Sequence, residues 1–200
     1  MASLKGTETH KNLMRAFAGE SQARNRYTMY AGIARKQGYP LVADVFDYTA
    51  EQERMHAKVF FEYLAEEFNG EEIKIDASYP VDLYQEQTVK NLLASVAAES
   101  HEHEEVYPNF SKIAKEEGFN QIAVTFNLIA KVEEVHSKRF AKLAKELEDD
   151  TMFKKATPVA WECKVCGHIH YGVAAPAICP VCKHPKGFFG VHLEELTEQK

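Results

Sequence analysis

Residues three apart on an α-helix share one face. This chain uses that spacing three times on ligand-type side chains: Glu53-x-x-His56, Glu99-x-x-Glu102 and Glu133-x-x-His136, with a single Glu20 upstream. The glutamates fall on the apolar stripes of their own segments, where a core is expected. An unpaired carboxylate buried there loses solvation worth several kcal/mol. Five converging carboxylates therefore need cations between them, and a bundle of four helices can present such a set to one point.

Helical periodicity runs over residues 7–149. The first segment is expected from Thr7, as N-cap, to Gly38 at its C-terminal end, with Leu13, Phe17, Glu20, Tyr27 and Ala34 inward. Pro40 suits the first turn of a second helix ending near Asn69-Gly70, with Phe46, Ala50, Glu53, Phe60 and Leu64 inside. So short a link makes the two antiparallel neighbours. Residues 70–84 lose the period and form a long connection. Asp82 and Gln85 are spaced as a capping box for the third helix, whose inward face is Leu92, Val96, Glu99, Glu102, Val106 and Ile113. Pro108 should kink it. After a turn at Gly118 and Asn120, the fourth helix carries Ile122, Phe126, Ile129, Glu133, His136, Phe140 and Leu143. Short, long, short is the connectivity of a bundle with one crossover.

The halves echo each other. Ala18-Gly19-Glu20-Ser21 recurs as Ala97-Ala98-Glu99-Ser100, and Glu-x-x-His follows 33 residues after Glu20 and 34 after Glu99. Every candidate lies near the midpoint of its helix, so all should sit within roughly 5 Å of one plane. Helical phase turns most of His101, His103, Glu104 and Glu105 outward, so they are expected on a solvated face.

Carboxylate oxygens with imidazole favour iron or manganese over copper or structural zinc. The C-terminal end carries a contrasting donor set: Cys163-x-x-Cys166 and Cys179-x-x-Cys182, separated by twelve residues and comprising all four cysteines. Four thiolates in a tetrahedron accept zinc or iron. A tail of about forty residues cannot bury an adequate core, so a metal must hold it together. The expected organisation is a four-helix bundle over 1–150, a linker over 151–157 and a metal-bound domain over 158–200. The joining segment, charged and then extended, would let the tail dock away from its own bundle. His170, His184 and His192 are expected at the surface.

Composition narrows the class. The net charge of −6 argues against nucleic acid or anionic lipid as partner. No apolar run is long enough to span a membrane, the N-terminus lacks a signal peptide's apolar stretch, and cysteines confined to C-x-x-C pairs suit a reduced cytoplasm.

Together the run from Ala18 to Tyr27, the Glu-x-x-Glu of the third helix and the cysteine module resemble the rubrerythrin family over essentially the whole chain. The tail, with Trp161 before its first cysteine pair and Phe188-Phe189 after its second, resembles rubredoxin, although Lys183 replaces a glycine common after the fourth cysteine and His168 stands where an aromatic is common. The resemblance implies an all-α, ferritin-like bundle with a β-rich, rubredoxin-like tail, two non-haem irons in the bundle and one iron on Cys163, Cys166, Cys179 and Cys182, with zinc a possible substitute. It implies Glu20 as a terminal ligand, Glu53 and Glu133 as bridges, and Glu99 with His136 on one side. Glu102 and His56 would be alternative ligands for an iron that shifts with oxidation state. Tyr27 and Tyr107, which by pattern alone are core amphiphiles, would hydrogen-bond site carboxylates.

The implied activity is a hydrogen peroxide reductase fed by an external donor, a reductase or rubredoxin-type protein, and working as a head-to-tail homodimer or higher homo-oligomer. Two other functions compete. Iron oxidation and storage in a ferritin-like shell explains the carboxylates and leaves the sulfur module idle. A zinc-bound interaction module on a non-catalytic bundle explains the tail and leaves the carboxylates idle.

Overall fold

The computed structural model describes residues 3–192; residues 1–2 and 193–200, the latter the end of the expected 158–200 domain, lie outside the described residues. Helix α1 (Glu8–Lys36) turns into α2 (Pro40–Phe68); a long crossover leads to α3 (Thr88–His101). One π-helical turn, Glu102–Val106, joins α3 to α4 (Tyr107–Glu116), and α5 (Asn120–Glu148) closes the bundle. The tail holds β1 (Lys154–Cys163), β2 (Ile169–Ala174) and β3 (Phe189–Val191) in one antiparallel sheet of order β2-β1-β3. Among the described residues no helix is long and apolar enough to cross a membrane.

Local chemistry sets the helix ends. The Thr7 side chain accepts from the His10 N–H, Gly38 adopts φ +83°, and Pro40 opens α2. The capping box expected at Asp82 does not form: α3 begins at Thr88. Asp82 is engaged elsewhere, its carbonyl accepting from the Tyr30 hydroxyl at 2.7 Å and its carboxylate 3.7 Å from Arg26, which pins the crossover to α1. The cap of α3 comes instead from Gln37, whose Oε1 accepts from the Thr88 N–H at 2.8 Å and hydroxyl at 2.6 Å. The opposite corner repeats the device. Glu117 accepts from the Glu8 N–H (3.0 Å), the Thr9 N–H (2.8 Å) and the Thr9 hydroxyl (2.6 Å). A carboxylate at a helix N-terminus both caps and meets the positive end of the dipole. Glu117→Ala should therefore cost about 1–2 kcal/mol, read as a lower urea midpoint at unchanged slope.

Where the sequence led to an expected kink at Pro108, the third rod carries a π-helical turn just before it. Proline lacks an N–H and collides with the carbonyl four residues back. The turn before Pro108 accommodates one extra residue, and the Tyr107 N–H reaches back five residues to the Glu102 carbonyl.

Two apolar plugs fill the bundle. One contains Leu13, Phe60, Leu64, Tyr107 and Phe126; the other contains Tyr27, Tyr30, Phe46, Leu92 and Phe140. Buried Glu20, Glu53, Glu99, Glu133 and His136 form the polar layer from the midpoints of the rods. Of the residues expected inward, Phe17, Val96, Val106, Ile113 and Leu143 are half-buried; Phe17 packs on exposed Phe61 with ring centroids 5.0 Å apart.

Within the chain the tail is seated on its own bundle at the α1–α2 corner. Tyr39 and Phe153 stack at 6.4 Å, Lys155 pairs with Glu146 at 3.1 Å, and the Thr151 N–H bonds the Glu146 carbonyl at 2.9 Å. A Cβ on Gly187 would fall 2.2 Å from the Gly38 carbonyl oxygen, so only glycine permits this approach.

Candidate metal centres

Helical phase brings Glu20 from α1, Glu53 and His56 from α2, Glu99 from α3, and Glu133 and His136 from α5 to one place. Their ligand atoms fall into two groups, Glu20, Glu53, His56, Glu133 and Glu53, Glu99, Glu133, His136, each within 4.8 Å. His56 Nδ1 lies 2.9 Å from Glu53 Oε2 and 3.0 Å from Glu133 Oε1; His136 Nδ1 lies 3.0 Å from Glu53 Oε1 and 2.7 Å from Glu133 Oε2. Glu53 and Glu133 thus offer one oxygen to each side, the disposition of bridging carboxylates. Glu20 stands on the His56 side at 3.7 Å and Glu99 on the His136 side at 3.6 Å.

The donor set fits a pair of cations. Both oxygens of Glu53 and of Glu133, one each of Glu20 and Glu99, and the Nδ1 of both histidines are buried without a hydrogen-bond partner. Such orphans are costly unless something completes them. The Tyr27 hydroxyl donates to Glu99 and the Tyr107 hydroxyl to Glu20, leaving the opposite oxygen of each carboxylate among the orphans.

Electrostatics tell the same story. Burial, then repulsion from Glu133 and Glu53, pushes Glu20 well above the carboxylate range. Burial and Glu53 raise Glu99 to about 8. Burial also acts upward on Glu133, yet the His136 and His56 imidazoles overcome it and hold Glu133 at about 2. Against the downward pull of burial, Glu133 and Glu53 raise His56 to about 9, and with Glu99 they raise His136 to about 12. Without metal, the cluster thus favours proton uptake on its imidazoles and on Glu99, charge that a metal pair would otherwise supply.

Glu102 is not brought into either group. The π-turn begins at this residue and shifts its phase, so its carboxylate lies toward α1, with Oε1 4.0 Å from where a Cβ on Gly19 would be. Burial, then repulsion from Glu99, raises it well above the ordinary range. His101, Glu104 and Glu105 are exposed, as helical phase predicts for most of this group, and His103 is half-buried.

Sequence reasoning missed the support behind His136. Its Nε2 lies 3.0 Å from Gln52 Oε1, which also accepts from Arg139 at 3.0 Å. With that amide oxygen receiving the Nε2 proton, Nδ1 is the nitrogen free to ligate. Arg139 also donates to Thr49 at 2.9 Å and lies over the Tyr48 ring at 5.2 Å.

In the tail, Cys163 and Cys182 sulfurs lie 3.6 Å apart and those of Cys166 and Cys179 3.7 Å apart, and all four converge within 4.8 Å. Metal–sulfur bonds of about 2.3 Å in a tetrahedron give edges of about 3.7 Å, so the thiolates are already spaced for one ion. Each knuckle needs a left-handed residue: Gly167 at φ +74° in the first and Lys183 at φ +65° in the second. Lys183 therefore carries strain of about 1 kcal/mol. The histidines expected at the surface are half-buried: His192 lies 3.0 Å from Glu162, and His184 packs edge-on to Phe188 with ring centroids 5.0 Å apart.

The rubrerythrin family model matches residues 11–144 and 90–160, and the model for its rubredoxin-like domain matches residues 161–190. The chain belongs to the rubrerythrin family. Rubrerythrin-1 of Clostridium acetobutylicum is 48% identical over 192 residues, covering 96% of this chain and 97% of the relative. Rubrerythrin of Nitratidesulfovibrio vulgaris is 46% identical over 189 residues, covering 94% and 96%. The all-ferrous structure of nigerythrin aligns with TM-score 0.62 at 29% identity, over 95% of this chain and 89% of that one. Bacterioferritin of Desulfovibrio desulfuricans shares the fold at 19% identity, with TM-score 0.56 over 72% and 83%. With these relatives the clusters acquire their metal: this is an iron-binding protein with candidate di-iron residues in a ferritin-like bundle and a rubredoxin-like four-cysteine site.

Proposed function

We propose that the protein is a di-iron peroxidase that reduces hydrogen peroxide to two waters with electrons relayed through the four-cysteine site. The observation carrying this reading is the pairing, in one chain, of a buried carboxylate–imidazole cluster full of orphaned ligand atoms with a preformed tetrahedron of thiols. When bound, the irons of the bundle supply both electrons that cleave the O–O bond, and the thiolate-bound iron passes replacements one at a time from an external donor. An iron-storage role leaves the tail without a task.

In this reading Glu20 and Glu99 would hold the irons as terminal ligands, Glu53 and Glu133 would be shared between them, and His136 would ligate on the Glu99 side. His56 and Glu102 alternate, His56 being the one already turned inward. Tyr27 and Tyr107 are positioning residues: burial and nearby carboxylates push both phenols well above their ordinary range, so they keep their protons and hold Glu99 and Glu20. Two protons must accompany the two electrons. Glu102 is half-buried, and burial with repulsion from Glu99 raises its carboxyl well above the ordinary range, which suits it to bring a proton inward as that carboxyl swings.

Within one chain the electron path is long. From Glu20 to the Gly38 corner where the tail rests is about 27 Å along α1. We therefore assign the relay to a second copy, whose tail lies beside this bundle in a homodimer or larger homo-oligomer. Cysteines confined to two C-x-x-C pairs suit a reduced compartment, and the cytoplasm is the location this reading assigns. The test is anaerobic mixing of reduced, iron-loaded protein with peroxide: one peroxide should oxidise each di-iron pair, with sustained turnover once a donor is added. Dioxygen-driven oxidation accompanied by growth of an iron core, without peroxide turnover, would favour storage.

A further inference from the structure

Between α1, the crossover and the α3–α4 rod lies a cleft of about 730 Å³, lined among others by Gln22, Arg26 and Glu102. Small residues, Ala16, Gly19, Ala94 and Ala98, keep its walls apart. Gln22 and Arg26 are one helical turn apart on α1 and share a face. Arg26 is 8% exposed; its Nη1 reaches the Pro80 carbonyl at 3.4 Å and Asp82 at 3.7 Å, while its Nε is buried with no partner. The Gln22 Oε1 is likewise buried and unpartnered. A buried donor or acceptor left unmade costs about 1–3 kcal/mol, so a neighbouring pair of opposite kind suits a small molecule that both gives and takes hydrogen bonds.

We propose that Gln22 and Arg26 form a station that binds hydrogen peroxide beneath the crossover, from which it passes Glu102 to the bundle centre. Arg26 Nε–H donates to one peroxide oxygen, and Gln22 Oε1 accepts from a peroxide O–H. The Arg26 charge also acts on Glu102, opposing the burial that raises that carboxyl. Dioxygen has no hydrogen to give and gains nothing from this pair. The proposal rests on the peroxidase reading above.

Water shares peroxide's donor and acceptor chemistry, so the test separates the two. In the iron-loaded full chain, Gln22→Met removes the acceptor, and Arg26→Lys keeps the charge while removing Nε–H. Each should raise the peroxide KM about tenfold, the loss of one buried hydrogen bond, with kcat and the rate of oxidation by dioxygen as in the parent. An unchanged KM in both variants means structural water only and overturns the proposal, as does equal slowing with peroxide and dioxygen. Crystals of the zinc-loaded chain, which cannot reduce peroxide, provide a second measurement after soaking. A two-oxygen molecule bonded to both side chains supports the station, and an unaltered single water there overturns it. If the parent protein does not turn peroxide over, the peroxidase reading fails while the soak still decides the station.

Discussion

Replacing Cys163, Cys166, Cys179 and Cys182 together with serine should abolish donor-dependent peroxide turnover and leave the first, stoichiometric oxidation of the reduced bundle intact. The two outcomes separate because the sulfur cluster lies at the Gly38–Leu41 end of the bundle, where Gly190 nears Leu41 and Gly187 meets Gly38. The polar layer sits at the rod midpoints. Among the described residues no hydrogen bond or ion pair joins the tail to Glu20, Glu53, Glu99 or Glu133, so cysteine replacement should remove the electron supply and spare the chemistry. Retained steady-state turnover would remove the relay role. The same variant examines the assignment to a second copy. Co-assembled with chains disabled at Glu133 and His136, the cysteine-free chains should regain turnover, because each intact bundle then finds an intact tail on its neighbour. Absence of recovery in verified mixed oligomers would mean that electrons travel within one chain.

Helix ends were legible where a single residue forces them. Gly38 and Pro40 end one rod and start the next because no other residues suit that φ or that missing N–H so well. The start of α3 was not legible, because its cap is Gln37, far away in sequence, while Asp82 serves Tyr30 and Arg26. One count held more than it declared. Glu53 follows Glu20 by 33 residues and Glu133 follows Glu99 by 34; likewise Tyr27 follows Glu20 by seven and Tyr107 follows Glu99 by eight. The additional residue is the π-turn. With it, Tyr107 grips Glu20 as Tyr27 grips Glu99, and the two halves remain near-copies around the site. The number alone could not distinguish a turn inside the rod from a longer loop.

The cluster itself was readable because buried carboxylate is so unfavourable that five on apolar stripes admit few explanations. Gln52, Arg139, Gln22 and Arg26 carried no such signal. Each is a polar residue on a long amphipathic helix, and only the packing of neighbouring rods shows that its head is desolvated. Glu102 is the instructive case. Spacing from Glu99 put it on the ligand face, and a change of helical pitch beginning at that very residue turned it toward Gly19.

Metal-free protein should lose stability as pH rises from about 6.5 through 9, and bound iron should reverse that trend. His56 titrates at 6.5 when unfolded and at about 9 when folded, so its contribution is complete below 6.5 and gone above 9. The difference corresponds to on the order of 3 kcal/mol. Glu99, raised to about 8, acts in the same direction: the fold prefers its protonated form, and alkali ionises it within a cluster that already holds negative charge. Glu133 has the opposite sign, but its window lies between 4.5 and about 2 and is silent here. Iron needs the same side chains without their protons. Loading should therefore release protons and tighten with pH. Urea midpoints of metal-free and anaerobically iron-loaded protein at pH 6 and pH 9 should diverge, the gap being widest at pH 9. A metal-free bundle equally stable at both values would mean that the layer between the apolar plugs is hydrated, and that the protons inferred on His56 and Glu99 are not held there.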